Sequence, residues 1–199
     1  MKIMEDKPVD IKTRILDAAL ERFTRYGFGK TTMAEIARDC GMSAGNLYRY
    51  FENKTEIGAA CARRCMGEAE AEVRKVLKIP GLSSAERLEA FILNKLCYMH
   101  QRFGKHPALL ELVLHIFENR YDLVQSHLEK LQSMMGEILA VGNRSGEFSV
   151  DDILSTARAI LLANFKFISP RNMAGYSLDT LQGEAREVVR LLVLALRKG

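Results

Sequence analysis

Several signatures of large protein classes are missing from this 199-residue sequence. No apolar run is long enough to cross a bilayer, and the first ten residues, MKIMEDKPVD, lack the apolar centre of a signal peptide. The four cysteines are too few and too scattered for the disulfide framework of a secreted domain. Strand patterns, internal repeats and low-complexity segments are missing too. We therefore expect a cytoplasmic protein with no membrane partner.

The common catalytic motifs are missing as well. The sequence has no Gly-rich phosphate loop, nucleophile elbow, HExxH pair or CxxC motif. Cys61 and Cys65 are spaced for one face of a helix, which leaves a metal or redox pair open, but burial as small hydrophobes is the preferred interpretation. None of the four histidines follows a glutamate by three residues, which disfavours a carboxylate-bridged metal site. We expect no enzyme activity, no metal and no cofactor.

What is present is an ordinary globular composition with a mild positive charge. Hydrophobic residues make up 48% of the chain and charged residues 27%, which is typical of a globular protein of one large or two small domains. The formal net charge of +4 permits nucleic-acid binding without demonstrating it, because the local distribution of charge matters more than the sum.

The most informative stretch runs over residues 31–54, TTMAEIARDCGMSAGNLYRYFENK. Thr32, followed three residues later by Glu35, has the pattern of a capping box and predicts the start of a helix. Gly41 suits the left-handed conformation that ends such a helix, and Ser43 is placed to cap a second short helix over residues 44–50. Two short helices joined by a glycine turn predict a helix-turn-helix.

The helix that follows this motif has a start signal of its own. Asn53 and Glu56 repeat the capping pattern, and Lys54 falls in the first turn of the helix that they predict. In the short helix before it, the outer face is expected to carry Asn46, Tyr48, Arg49 and Tyr50, and side chains of these types contact phosphates and base edges. The pattern favours DNA binding, with an ordinary helical hairpin as the alternative.

This region resembles the TetR/AcrR family of bacterial transcriptional regulators over about a quarter of the chain. The resemblance implies an all-α protein in which a three-helix headpiece with a helix-turn-helix precedes a helical bundle for effector binding and dimerisation. The matching residues are Arg14, Ile15, Leu16, Ala18, Ala19, Phe23, Gly27, Thr31, Thr32, Ile36, Ala37, Gly41, Ser43, Asn46, Leu47, Tyr48, Tyr50, Phe51 and Lys54.

The resemblance also implies roles for single residues. In such a headpiece the second helix of the motif enters the major groove, its first residues meet base edges, and side chains around it contact phosphates. Asn46 can pair with adenine, and Met33 aligns with a position near the groove floor. Lys54 stands at a helix N-terminus, which already attracts phosphate. The predicted DNA-binding residues are Thr32, Met33, Ala44, Gly45, Asn46, Tyr48, Arg49, Tyr50 and Lys54.

The rest of the chain predicts further helices, about nine in total. We expect a DNA-binding domain over 9–68 and an effector-binding and dimerisation domain over 69–199. A mobile polar arm over residues 1–10 carries Lys2 and Lys7, which are candidate phosphate contacts. The charged later part of the fourth helix is interpreted as solvated. Outside the motif, the predicted helices span 10–26, 54–77, 84–103, 106–119, 122–141, 150–168 and 178–197.

The last two predicted helices are apolar over more of their circumference than a one-sided surface helix needs. The core of the protomer would cover one side and a second subunit the other, with a core formed wholly within one chain as the alternative. The resemblance implies dimerisation through these two helices as a four-helix bundle. The predicted interface residues are Ile153, Ala157, Ile160, Leu161, Val189, Leu192 and Leu196.

The resemblance further implies a small-molecule effector between the helices that follow the headpiece. Aromatic and sulfur side chains there suit a hydrophobic effector, although any bundle core needs the same residue types. His100 and His115 are candidate polar anchors, with structural histidines as the alternative. The predicted effector-binding residues are Phe91, Tyr98, Phe103, His115, Phe117, Tyr121, Met134 and Phe165.

The sequence therefore predicts a ligand-responsive repressor that binds a palindromic DNA operator as a homodimer. A helical haem- or metal-binding protein without a role in DNA binding is the alternative. An activator role, or a ligand that promotes DNA binding, stays open.

Overall fold

The computed structural model describes residues 10–173 and 175–197, and within these ranges the chain contains helices and loops but no strand. This confirms the predicted all-α fold, with ten α-helices where about nine were expected. Lys2 and Lys7 lie outside the described residues. The helices are α1 (Ile11–Tyr26), α2 (Met33–Asp39), α3 (Ala44–Tyr48), α4 (Lys54–Leu77), α5 (Ser84–Met99), α6 (Leu109–Asn119), α7 (Tyr121–Ser145), α8 (Ile153–Ala163), α9 (Phe165–Ile168) and α10 (Leu178–Leu196).

The helix-turn-helix forms at the predicted caps. The Thr32 hydroxyl accepts a hydrogen bond from the Glu35 N–H at 3.3 Å, and the Glu35 carboxylate accepts one from the Thr32 N–H at 2.9 Å. Gly41 has φ +66°, a conformation that favours glycine, and the chain turns there. Ser43 then accepts from the Asn46 N–H at 3.2 Å and starts α3. The second helix of the motif ends two residues earlier than predicted, at Tyr48.

The core of the headpiece continues into the second half of the chain. Leu47 of α3 and Phe23 of α1 are fully buried. The Phe28 ring lies 5.2 Å from the Phe23 ring and 4.5 Å from the His115 ring of α6, measured between centroids. Leu112 of α6 belongs to the same apolar cluster. Packing of α6 against the headpiece is a feature that the predicted division into residues 9–68 and 69–199 does not contain.

The later half of α4 is not a solvated connection, which corrects the sequence interpretation. Ala69 and Val73 are buried in the core of the C-terminal bundle and Val76 is buried on the same helix, while the charged residues between them occupy the other faces. The charged composition of this segment was misleading, because about four of every seven residues in a helix can be charged while one narrow stripe stays apolar and buried. One continuous helix therefore contributes to both cores.

The seventh helix passes through Gly142, where the sequence predicted its end. A Cβ at this position would lie 2.2 Å from the Phe148 ring, which packs directly on the glycine. Glycine is needed here for close approach and not for a turn. The helix ends instead at Gly146, whose φ of +74° is left-handed.

The helix predicted over residues 150–168 is divided. Asp152 caps α8 by accepting from the Ser155 N–H at 3.0 Å, so the helix begins at Ile153. It is interrupted at Asn164, whose side-chain amide donates to the Ile160 carbonyl at 2.9 Å, and α9 follows as a separate short helix. Such local side-chain bonds compete with the regular helical ladder. A similar departure follows α5, where His100–Gly104 forms a π-helical turn.

Two negative findings apply to the described ranges. None of their helices is long and apolar enough to cross a membrane. They also contain no group of three or more His, Cys, Asp and Glu side chains arranged to hold a metal ion. Cys61 is buried, and burial raises the pKa of its thiol to about 12.

Candidate DNA-binding face and effector cavity

The outer face of α3 is open to solvent, whereas its inner face is fixed by Leu47. Tyr48 is 53% exposed, Arg49 and Gly45 are exposed, and Asn46 is half-buried. Because Leu47 is fully buried, α3 cannot rotate without breaking the headpiece core. The helix thus presents an amide, a phenol and a guanidinium on a rigid support.

Ion pairs between α1 and α2 hold these two helices of the headpiece together. The Arg22 guanidinium contacts both the Asp39 and the Glu35 carboxylates, the latter at 3.2 Å. Arg14 donates to the Cys40 carbonyl at 3.0 Å, in the turn between α2 and α3. The bonds from Thr32 lower the pKa of the Glu35 carboxyl. The orientation of the motif therefore depends on contacts that the sequence pattern did not reveal.

The predicted DNA contacts are not all at the surface. Thr32 is exposed, and Ala44 is half-buried beside Gly45. Tyr50 is half-buried and packs against the headpiece core. Met33 is only 9% exposed and belongs to that core, so its side chain does not lie on the outer face.

Lys54, another predicted DNA contact, bonds to the headpiece itself. Its Nζ donates to the Phe28 carbonyl at 2.7 Å and to the Gly29 carbonyl at 3.1 Å, and it lies 4.6 Å from the centre of the Phe28 ring. Partial burial lowers the pKa of the ammonium, although the nearby Glu111 carboxylate opposes the shift. Two of its three donors thus hold the loop between α1 and α2.

A cavity of about 90 Å³ lies between the headpiece and the C-terminal bundle, with helices α4 to α7 and the α9 segment in its wall. Phe103, Phe117 and Phe165 line it, three of the predicted effector-binding residues. Its polar lining consists of Lys95, His127 and Ser169, none of which was predicted. The other lining residues are Leu20, Ala62, Cys65, Met66, Ala69, Met99, Leu109, Leu112, Val113, Ile116, Val124, Leu128, Leu131, Ile168 and Pro170.

The other predicted effector-binding residues lie elsewhere. Phe91 and Met134 are fully buried in the C-terminal core. The Tyr98 hydroxyl donates to Glu68 at 2.9 Å, and Tyr121 is 56% exposed. His115 packs on Phe28 outside the cavity lining. Neither predicted polar anchor lines the cavity. The Nε2 atom of His100 instead lies 3.2 Å from the Tyr176 carbonyl oxygen.

Two family profiles match the sequence. The profile described as bacterial regulatory proteins, tetR family, matches residues 15–61, which contain the helix-turn-helix. The profile described as tetracyclin repressor-like, C-terminal domain, matches residues 84–189, more than half of the chain. The chain belongs to the TetR family. It is a DNA-binding transcriptional regulator of the helix-turn-helix type.

Individual relatives agree with this assignment. The HTH-type transcriptional regulator UidR of Escherichia coli K12 is 27% identical over 166 residues, which cover 81% of each chain. A transcriptional regulator from Cytophaga hutchinsonii has a similar fold, with a TM-score of 0.72 and 22% identity over 92% of this chain and 97% of that one. The regulator FadR of Bacillus subtilis, solved with stearoyl-CoA, gives a TM-score of 0.67 and 22% identity over 92% and 98% of the two chains.

The exposed apolar surface of this TetR-family regulator differs from the predicted dimer interface. Most of the predicted residues are core residues of the protomer and so have little surface left for a partner: Ala157, Ile160, Leu161, Val189 and Leu196 are at most 7% exposed, and Ile153 and Leu192 are half-buried. The opposite faces of the same helices carry Leu154 and Leu162, each 63% exposed, and Leu191 and Leu194 at 59% and 57%. Apolarity around most of the circumference pointed to α8 and α10 but could not distinguish the inward face of each helix from the outward one.

The sequence contained a usable signal for Lys95, the lysine in the cavity lining that was not among the predicted effector-binding residues. On α5 the apolar side chains recur at the spacing of one helix face, and Lys95 falls in line with Leu88, Ile92 and Met99. A lysine within a core stripe is unusual and marks a site where charge is kept inside the protein. His127 carries a comparable signal, because on α7 it falls in line with the apolar residues Val124, Leu131 and Met135.

Proposed function

We propose that this regulator is a cytoplasmic, non-catalytic repressor that binds a palindromic operator as a homodimer and is released by a small apolar effector. The observation that carries the proposal is the outer face of α3, where Tyr48 and Arg49 are exposed beside Asn46 on a helix fixed by Leu47. A polar, immobilised face of this kind is suited to the major groove. The family description of the C-terminal domain as repressor-like supports repression over activation.

The residues of the face divide into base and phosphate contacts. Asn46, in the first turn of α3, is proposed to read a base edge, because a side-chain amide can pair with adenine through two hydrogen bonds. Exposed Thr32, Tyr48 and Arg49 are proposed to bind phosphates, with Ala44 and Gly45 allowing close approach. Met33 is omitted because of its burial. Lys54 is proposed to approach phosphate with its remaining donor while it holds the loop.

A homodimer is proposed through the leucines on the outer faces of α8 and α10. Leu154, Leu162, Leu191 and Leu194 are each more than half exposed, which is uncommon for so many leucines on two helices of one protomer. Packing them against a second copy would bury them and form a two-fold arrangement. The two copies of α3 in the dimer would then meet successive turns of one duplex, which requires an operator with inverted half-sites.

Effector control is proposed to act through the cavity beneath α6. Helix α6 lines the cavity with Leu112 and Ile116 and also packs on the headpiece through His115 and Phe28. A molecule that enters the cavity would displace α6 and with it the headpiece. A coupling of about 1–3 kcal/mol between effector and DNA is typical of such regulators. The FadR structure of similar fold supports the idea that this architecture admits a ligand.

Selection from a random-sequence duplex library tests the proposal. The full-length protein should enrich an inverted repeat whose half-sites lie about one helical turn apart. The enriched duplex should bind two protomers, and binding should be stronger than to a scrambled duplex of equal length. No enrichment above the library, or enrichment of a single half-site with one protomer bound, would contradict the proposal.

A further inference from the structure

A buried lysine forms part of the cavity wall. Lys95 is 1% exposed, and its Nζ lies 3.0 Å from His127 Nε2. The other ring nitrogen of His127, Nδ1, lies 2.7 Å from the Glu70 carboxylate, which only accepts, so the ring proton is on Nδ1. The Nε2 atom is therefore the acceptor for Lys95. An ammonium has three donors, and within the described ranges His127 is its one hydrogen-bond partner.

A second polar group in the same wall has no partner in the described part of the chain. Ser169, which follows α9, is 4% exposed, and its hydroxyl makes no hydrogen bond there. Apart from these groups, His127 and the Cys65 thiol, the lining side chains are apolar. Burial of unsatisfied donors costs free energy, so a site that retains them indicates an acceptor that arrives from outside.

We propose that the cavity binds a small apolar molecule that carries one carboxylate, with the carboxylate held by the Lys95 ammonium and the Ser169 hydroxyl. The inference rests on the proposed effector role of the cavity. A carboxylate has several acceptor positions and neutralises the lysine, whereas an alcohol offers one oxygen and no charge. The wall contains no arginine, the usual partner of phosphate, and the volume of about 90 Å³ favours a short acid.

The lysine gives binding a characteristic pH dependence. Burial lowers the pKa of Lys95 to about 7, against the opposing charge of Glu70. A bound carboxylate favours the charged amine, so above pH 7 binding requires the uptake of a proton. The affinity for an acid should then fall about tenfold for each further pH unit, and the affinity for an alcohol should not change.

The other titratable groups around Lys95 keep their charge state between pH 7 and 9. Burial lowers the pKa of His127, so the ring stays neutral. Bonds from His127 and Lys130 outweigh burial and lower the pKa of Glu70, so that carboxyl stays ionised. Burial raises the pKa of Cys65. Lys130 of α7 binds Glu70 from the solvent side, at 3.0 Å, and does not line the cavity.

Calorimetric titration of the full-length protein tests this proposal. The probes are butanoate, hexanoate and octanoate, each compared with the primary alcohol of equal length, at pH 7 and pH 9. We expect at least one acid to bind more tightly than its alcohol at pH 7 and to lose about fiftyfold in affinity at pH 9, because about half of the lysine is charged at pH 7 and about one hundredth at pH 9. Proton uptake at pH 8, measured in buffers of different ionisation enthalpy, should accompany acid binding only.

Three variants distinguish the binding of the carboxylate from a general effect on the structure. Lys95→Met should weaken the acid at least tenfold at pH 7 and remove the pH dependence, while alcohol affinity stays within threefold. Lys130→Met removes a lysine from the same network outside the cavity and should retain both properties. Ser169→Ala should weaken the acid several-fold. If no acid binds more tightly than its alcohol, or if Lys95→Met leaves the preference unchanged, the anchor is wrong.

The anchor and the regulatory role can fail separately. If acid binding depends on Lys95 but leaves the affinity for a selected DNA duplex unchanged, the carboxylate site stands and the proposed effector control is wrong. If acids and alcohols bind equally and both release DNA, effector control stands and the Lys95 anchor is wrong.

Discussion

The Glu111 carboxylate of α6 accepts a hydrogen bond from the Gly29 N–H of the headpiece loop at 2.9 Å. The same carboxylate lies against Gly27, where a Cβ would approach its oxygen to 2.6 Å. Gly27 also has φ +87°, so the position needs glycine for two reasons. Helix α6, which lines the cavity, is thus hydrogen-bonded directly to the loop that precedes the helix-turn-helix. This contact would give the proposed effector in the cavity a short physical route to the DNA-binding face.

Replacement of Glu111 should weaken that route. In Glu111→Ala, α6 can move without moving the Gly29 loop, so the effector should reduce DNA affinity less than it does in the unchanged protein. Because the hydrogen bond is exposed, the loss of stability should stay at about 1 kcal/mol. Glu118→Ala on the same helix is the control, since Glu118 makes no hydrogen bond or ion pair within the described ranges. Equal effector responses in the two variants would exclude Glu111 as a coupling residue.

Replacement of Lys54 by methionine should affect both folding and DNA binding. The variant loses the bonds to the Phe28 and Gly29 carbonyls, which should cost about 1–2 kcal/mol of unfolding free energy. Binding to all duplexes should weaken equally, and the salt slope of log affinity should fall by about one unit. Lys78→Met, at the exposed end of α4, is the charge-matched control. An unchanged salt slope in Lys54→Met would limit Lys54 to a structural role.

Charge on the outer leucine face should abolish dimerisation. Leu162→Glu places a carboxylate at the centre of the proposed interface, and its burial against a partner would cost several kcal/mol. Light scattering should give a monomer that retains its helical content and no longer shifts a palindromic duplex. Ile79→Glu alters another exposed hydrophobic residue, 42% exposed between α4 and α5, and should leave the dimer intact. A Leu162→Glu protein that is still dimeric would place the interface elsewhere.

Lys95 should make stability rise with pH. Its folded-state pKa of about 7 lies below the ordinary value of 10.5, so the charged form is disfavoured by folding. The cost is complete below pH 7 and decreases as pH rises from 7 towards 10.5. Lys95→Met should therefore be more stable than the unchanged protein at pH 6, with a smaller advantage at pH 9. Thermal unfolding at both pH values measures the difference, and a constant difference would show that Lys95 is not desolvated.

The headpiece could be predicted from the sequence because its signals are local. Thr32, Gly41 and Ser43 act within four residues of their own positions, and each cap formed as expected. Gly142 was misread because the Phe148 ring that requires it folds back from outside the helix. The contact of Glu111 with Gly29 joins residues 82 positions apart, and no local pattern indicates it.

The cavity was only partly predictable for the same reason. Aromatic residues occur throughout a helical bundle, so their type could not separate Phe103, in the wall, from Phe91, in the core. The position of Lys95 in an apolar stripe was visible in the sequence, but its pairing with His127 depends on how α5 and α7 cross. Likewise, the outward orientation of Leu162 depends on the packing of α8 against α7.

The central claim is that the exposed face of α3 reads DNA sequence, and the most direct test is the discrimination of an Asn46→Ala variant. Its affinity for the selected duplex and for a scrambled duplex should be measured by fluorescence anisotropy at several salt concentrations. The account predicts a loss of about 1–3 kcal/mol for the selected duplex only, with an unchanged salt slope and an intact dimer. Asn46→Ala with the discrimination of the unchanged protein would contradict the account.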